Sequence, residues 1–234
     1  LTAGAPVGAH WISDRQSGPL IIRYGTEKHQ KELLPGILKG ESYFCIGMSE
    51  PDSGSDLAAL RTKAEKKGDI YLVNGTKLWT SGAHRCQYMI ALFRTSQEED
   101  RHGGLSQFIV DLSLPGVTIR PIIDLAGRHH FNEVIFEDVE VPEDMLIGTE
   151  GNGWNQVTAE LALERSGPER YLSSYMLLQE LVNEFSNKND VEGVTEIGRP
   201  MSHRTTLIPM SVYAASPGPF TTQPIIDSVI GSLM

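Results

Sequence analysis

Between residues 43 and 148 the chain is a series of short β-prone runs separated by turn residues, and this pattern constrains the fold most. Strands of this length and spacing favour a closed or sandwiched sheet over alternating βαβ units. Asn-Gly at 74–75 is predicted to turn the chain back at a hairpin. No Gly-x-Gly-x-x-Gly motif follows a strand, so a Rossmann dinucleotide site is not indicated. The runs are 70–73, 78–80, 88–93, 107–110, 117–119 and 134–136, with turns at 67–69, 74–75, 102–104 and 115–116.

Helical patterns flank this β region. Thr26 is a predicted N-cap for a short amphipathic helix over 27–38 that is interrupted at Pro35. The apolar period becomes helical again from Trp154 to Arg165. The fold class is therefore predicted as α+β, with an antiparallel β-sandwich or barrel flanked by helices. A further apolar stripe at helical spacing consists of Tyr171, Tyr175, Leu178, Val182 and Phe185.

Composition excludes several classes of function. The 234 residues carry a net charge of −10, which argues against nucleic acid or an anionic membrane as the main partner. No apolar run is long enough to span a bilayer. Cys45 and Cys86 do not form a disulfide framework, so a reducing, cytoplasmic compartment is expected. His129 and His130 are adjacent and point to opposite faces of a strand, and no zinc spacing occurs, so no metal site is predicted.

Residues 43–56 are predicted to form an apolar strand that enters a tight polar loop. Pro51 cannot donate a ladder hydrogen bond, and the residues after it favour turns. Backbone N–H groups and serine hydroxyls in such a loop suit a ligand that carries carbonyls or phosphates. An ordinary surface turn is the alternative interpretation.

Residues 74–83 contain a tryptophan followed two positions later by a serine. The face of the Trp79 indole can stack on a planar heterocycle. Ser81 points to the same side of a strand, where its hydroxyl can bond the edge of the ring. A tryptophan packed in the core is the alternative interpretation of this pattern.

Together these two stretches resemble the flavin-binding signatures of the acyl-CoA dehydrogenase family. A third segment, 131–154, resembles the last middle-domain strand of that family and the turn into its C-terminal helices. The resemblance covers roughly residues 20–185. It implies a divided chain: 1–42 ends an N-terminal helical domain, 43–150 is the β middle domain, 151–198 begins a C-terminal helical domain, and 199–234 is a divergent or poorly ordered tail.

The resemblance implies FAD-dependent α,β-dehydrogenation of an acyl-CoA thioester. It further implies electron transfer to an electron-transfer flavoprotein, a homo-oligomer (dimer or tetramer), and a mitochondrial matrix location in a eukaryote. Ser55 would contact both the cofactor and the CoA arm. The implied cofactor-binding residues are Ile46, Met48, Ser49, Gly54, Ser55, Trp79, Thr80 and Ser81.

The catalytic base has two possible positions in the family. Glu164, directly before Arg165, matches the less common one, and both residues would then also contact the acyl-CoA. A carboxylate in an apolar cleft has a raised pKa, which suits a general base. The alternatives are a solvated surface pair, or a base located elsewhere in the C-terminal helices.

Two departures from the family pattern stand beside the resemblance. Asp52 adds negative charge near an expected diphosphate, and Ile46 replaces a common aromatic residue. An inactive family member that holds acyl-CoA or a partner subunit is the first competing hypothesis. A plain β-sandwich interaction module is the second.

Overall fold

The computed structural model describes residues 10–165, 175–187, 193 and 195. Its described part contains eight strands and four α-helices, preceded by a π-helical turn at Ser13–Ser17. The helices are α1 Gly18–Tyr24, α2 Glu27–Lys39, α3 Gly153–Arg165 and α4 Tyr175–Asn187. The strands are β1 Phe44–Gly47, β2 Lys63–Lys67, β3 Ile70–Ser81, β4 Tyr88–Arg94, β5 Leu105–Asp111, β6 Val117–Ile123, β7 His129–Pro142 and β8 Leu146–Ile147.

The strands form one sheet in the order β6-β7-β3-β2-β4-β5-β8, with β1 paired to β4. Most pairs are antiparallel, but β1 and β2 run parallel to β4. The predicted α+β class, a β domain flanked by helices, is confirmed.

Alternation along β4 divides the apolar core between the two faces of the sheet. Met89, Ala91 and Phe93 join a cluster that includes Phe108 and Phe136. On the other face, the cluster that contains Ile90 is closed by residues of α1 and α2, namely Leu20, Ile21, Leu33 and Ile37.

Helix α2 begins as predicted and ends later than predicted. Thr26 caps it, because the hydroxyl of Thr26 accepts a hydrogen bond from the His29 N–H at 3.2 Å. The predicted interruption at Pro35 is wrong: the helix continues to Lys39, and Gly40 ends it in the left-handed conformation with φ 71°. Burial of the α2 face against the sheet outweighs the one backbone hydrogen bond that proline removes.

The predicted Asn-Gly hairpin is also wrong, because β3 runs through residues 74 and 75 as one strand. The register against β7 shifts between Val73 and Gly75, which marks a bulge. The Asn74 amide exchanges two hydrogen bonds of 2.9 Å with Asp138 on β7, which has a positive φ of 50°. The extra residue lies on β7, where residues 137 and 138 face Asn74, so Asn-Gly pairs with a bulge of the partner strand and does not turn the chain. The chain reverses earlier, at Gly68, within the predicted turn at 67–69.

Residues 10–158 belong to one compact unit, and the described residues from 159 onward belong to a second. Of the second unit, the structure describes the end of α3, the whole of α4 and two isolated residues. In α4 the side chains of Leu178, Val182 and Phe185 are half-buried, which agrees with the predicted stripe. Tyr171 and the predicted tail lie outside the described residues.

Within the described ranges, no helix has the length and apolar character to cross a membrane. The same residues contain no cluster of histidine, cysteine and carboxylate side chains suited to a metal ion.

Candidate functional site

A bulge near the end of β3 turns Trp79 outward. Lys77 pairs with Val134 on β7 and Thr80 with Asn132, so β3 contains one residue more than its partner at this point. At this bulge Trp79 adopts the left-handed backbone conformation, with φ 61°, and the residue is 57% exposed.

The bulge also fixes the orientation of the residues that follow it. Thr80 is buried, whereas Ser81 is half-buried. Trp79 and Ser81 therefore share the outward side of the strand, as the spacing predicted, while Thr80 points inward. The edge of the indole meets the Phe131 ring at 5.9 Å between ring centroids.

Residues 48–56, the serine loop, continue from β1. Glu50 and Ser53 exchange backbone hydrogen bonds of 3.0 and 3.1 Å, which close a tight turn. The Leu78 N–H donates to the Ser49 carbonyl at 2.8 Å, and this bond joins the loop to the bulge. The structure thus brings together the two stretches that the sequence singled out. Of the predicted cofactor residues here, Ile46, Met48 and Ser49 are half-buried, and Gly54 and Ser55 are exposed.

Below the serine loop lies a buried ion pair that sequence reasoning missed. Lys77 is fully buried, and its Nζ donates to Glu50 Oε1 at 2.8 Å and to the Met48 carbonyl at 3.1 Å. The Glu50 carboxylate also accepts the N–H groups of Arg61 at 2.6 Å and Thr62 at 3.0 Å. The signal for Lys77 was its spacing from Tyr71 and Val73, because alternate residues of one strand share a face.

The two members of the buried ion pair respond differently to burial. Desolvation lowers the pKa of Lys77 to about 8, although the Glu50 carboxylate opposes the shift. Burial alone would raise the pKa of Glu50, but the Lys77 ammonium and the hydrogen bonds it accepts lower that pKa overall. Both groups are therefore charged at neutral pH.

The far end of the bulge is held by the histidine cluster of His84, His129 and Asn132. The two imidazoles stack with ring centroids 3.7 Å apart. The Asn132 Oδ1 lies 3.2 Å from His84 Nδ1 and 2.6 Å from His129 Nε2, and Asn132 Nδ2 donates to the Thr80 carbonyl at 3.0 Å. His84 is an exposed residue, but desolvation by the groups packed against it and the neighbouring His129 lower its pKa. Through the bond from Asn132 to the Thr80 carbonyl, the cluster thus fixes the backbone between Trp79 and Ser81.

Arginines offset the carboxylates of the serine loop. Asp52, which the sequence marked as a departure, lies 3.7 Å from the Arg61 guanidinium. Asp56 forms an ion pair with Arg101. The negative charge of this loop is thus partly neutralised where a phosphate-bearing ligand would approach.

Glu164 and Arg165 lie on the last turn of α3, in the second compact unit. The glutamate is half-buried. Its role as a base remains a prediction.

The geometry in the first unit fits a planar, partly polar ring. An outward indole offers a flat apolar face, and an indole with this much exposure leaves a large apolar area to cover. Ser81 follows Trp79 by two residues on β3. Ser49 is joined to the residue before Trp79 by the hydrogen bond from Leu78 N to its carbonyl. Such a donor set suits the polar edge of a heterocycle.

Known proteins share this architecture. The family described as "Acyl-CoA dehydrogenase, middle domain" matches residues 45–139. The Mycobacterium tuberculosis acyl-CoA dehydrogenase FadE29 is 45% identical over 161 residues, which is 68% of this chain and 42% of the relative. IpdE1 of the same organism is 42% identical over 163 residues, covering 70% and 42%.

A solved structure described as the Tcur3481-Tcur3483 steroid ACAD is 29% identical, with a TM-score of 0.73 over 88% of this chain and 54% of that one. The chain spans less than half the length of the two curated relatives. The chain belongs to the acyl-CoA dehydrogenase family, and residues 45–139 are its middle domain.

Proposed function

We propose that this chain forms the flavin-binding and part of the acyl-CoA-binding surface of an FAD-dependent acyl-CoA dehydrogenase. One observation carries the proposal: the exposed indole of Trp79 is joined to the serine loop through the 2.8 Å bond between Leu78 N and Ser49 O. Bound FAD supplies the two-electron acceptor that desaturation of a Cα–Cβ bond requires.

The residues of the first unit bind and orient the ring. Trp79 would pack against it, the backbone of Met48 and Ser49 would face its pyrimidine edge, and the Ser81 hydroxyl would donate a hydrogen bond near N5. Ile46 and Met48 add apolar contact. Gly54 and Ser55 are exposed, and they would contact both the cofactor and the CoA arm.

Glu164 is the proposed base. A C–H group next to a thioester is a weak acid, so its removal needs a positioned carboxylate shielded from water. Arg165 is proposed to contact the acyl-CoA. The proposal also includes a homo-oligomer and an electron-transfer flavoprotein as the electron acceptor.

The substrate panel for a test follows from the relatives. One similar solved protein is described as a steroid ACAD. A polycyclic, steroid-derived acyl-CoA therefore belongs in the panel beside straight-chain and branched acyl-CoAs. Decay of the flavin absorbance on mixing reports which of them the protein oxidises.

Titration of FAD into the chain tests the proposal. The wild type should turn yellow and quench flavin fluorescence. Trp79→Ala should weaken FAD binding about 3- to 10-fold, as expected for loss of one aromatic stack. Leu38→Ala removes an 85%-exposed apolar side chain from α2 and is the matched control, with unchanged affinity. A wild type that does not bind FAD would refute the proposed function.

The base has a separate test. Glu164→Gln should still give the yellow complex, and bleaching of that complex by acyl-CoA should be nearly abolished. Undiminished bleaching would place the base elsewhere.

A further inference from the structure

The buried ion pair is not explained by stability alone. A buried lysine and glutamate lose their hydration, and well-packed apolar residues at such positions are often equally stabilising. Lys77 nevertheless lies in the interior at 0% exposure, and Glu50 at 7%. The ring of Phe93 lies 5.6 Å from the ammonium, so the surroundings are partly apolar. The buried ion pair therefore has a structural role in addition to any contribution to stability.

That consequence is visible in what the pair connects. Through Nζ, Lys77 holds the Met48 carbonyl and the Glu50 side chain. Through both oxygens, Glu50 holds the chain entering β2 at Arg61 and Thr62. Three separate segments, the serine loop, β3 and the start of β2, are thus joined at one buried point.

The connection is adjacent to the bulge. Lys77 and Leu78 are consecutive, and they bond to the carbonyls of Met48 and Ser49, which are also consecutive. The next residue is Trp79, whose positive φ is unfavourable for a tryptophan and persists only where the surrounding contacts fix it. If the serine loop shifted relative to Lys77, the Ser49 carbonyl, which accepts the hydrogen bond from the Leu78 N–H, would move with it.

We propose that Lys77 and Glu50 are positioning residues for the flavin site. They set the separation between the serine loop and the outward side of Trp79 and Ser81, and neither side chain touches the ring. This inference rests on the proposed function, because it assigns the two residues a role in forming the FAD site.

A double substitution separates positioning from folding. Lys77→Met with Glu50→Gln removes both buried charges together, so no unpaired ion remains, and the glutamine Oε1 still accepts a backbone N–H. The matched control is Lys31→Met with Glu27→Gln, which makes the same changes in an exposed pair on α2 with a 3.0 Å separation. Both double variants should keep the wild-type circular dichroism.

The measurements are FAD affinity and hydrogen exchange. The buried double variant should bind FAD at least about tenfold more weakly, because a small misplacement of positioned groups has effects of this size or larger. Its Leu78 amide should exchange faster than in the wild type, without FAD present. The exposed double variant should match the wild type in both measurements.

The outcomes distinguish the two proposals. Wild-type FAD affinity and slow Leu78 exchange in the buried double variant would overturn the positioning role and leave the proposed function intact. No FAD binding by the wild type would overturn the proposed function itself. Should the double variant not fold, exchange in the wild type decides: a rapidly exchanging Leu78 amide, with or without FAD, would overturn the inference.

Discussion

The two supports of the Trp79 bulge are built from opposite chemistry. On the loop side, the buried ion pair holds the backbone with full charges at 0% and 7% exposure. On the far side, the histidine cluster holds it with imidazole and amide side chains, of which only that of Asn132 is fully buried. The difference teaches that the loop side depends on electrostatic balance in the interior, whereas the far side depends on hydrogen-bond satisfaction close to water.

Breaking the charge balance should have the largest effect. Glu50→Gln leaves the Lys77 ammonium buried without a carboxylate, and the free energy of unfolding should fall by about 3–5 kcal/mol. Urea denaturation measures this loss. The double variant with Lys77→Met should recover most of it. A loss below about 1 kcal/mol in the single variant would show that water reaches the pair, because exposed pairs contribute no more than this.

The second-largest change in the free energy of unfolding should come from titration of Lys77. Its pKa in the folded chain is about 8, below the ordinary 10.5, so between these pH values the unfolded chain binds more protons. The free energy of unfolding should therefore rise with pH across this window, by up to about 3 kcal/mol relative to Lys77→Met. Urea denaturation from pH 7.5 to 10.5 measures the difference. A difference independent of pH would mean that the lysine titrates normally.

The far support should be weaker. Asn132→Leu removes the acceptor for two imidazoles and the donor for the Thr80 carbonyl. Loss of a buried, hydrogen-bonded amide should lower the free energy of unfolding by about 2 kcal/mol. Asn155→Leu, at an exposed position on α3, is the control and should change it by less than about 0.5 kcal/mol. A loss as large as that of Glu50→Gln would contradict the ranking of the two supports.

The sequence predicted the parts of the site that are local in the chain. The serine loop follows from turn residues after an apolar run, and the shared side of Trp79 and Ser81 follows from their spacing. Both features depend on residues within a few positions of each other. The resemblance to the acyl-CoA dehydrogenase family is confirmed by the match of residues 45–139 to the middle domain of that family.

The parts that were wrong or missed depend on distant partners. Asn74-Gly75 locally predicts a turn, but Asn74 bridges to Asp138 on β7, which is 64 residues away in sequence. A turn at this point would divide β3 and separate Lys77 from Tyr71 and Val73, which precede it on the same strand. Its partner Glu50 is 27 residues away, and no local pattern indicates that a lysine and a glutamate meet in the interior.

The smallest expected change in the free energy of unfolding is that caused by substitution of His84. Its dependence on pH also separates the two supports within a single protein. Its neighbours His129, His130 and Arg85 add positive charge, and with desolvation they hold its pKa below the ordinary 6.5. Below pH 6.5 the unfolded chain therefore binds more protons, so the wild type should lose stability relative to His84→Gln as the pH falls.

At pH 7.5 the two proteins should differ by less than about 0.5 kcal/mol, because the imidazole is exposed. Titration of Lys77 alters stability between pH 8 and 10.5 and that of His84 alters it below pH 6.5, so the two pH windows do not overlap. Denaturation curves at pH 5.5, 7.5 and 9.5 should therefore perturb one support at a time. Were His84→Gln to abolish the alkaline change as well, the two supports would act as one network through β3, and their contrast would not hold.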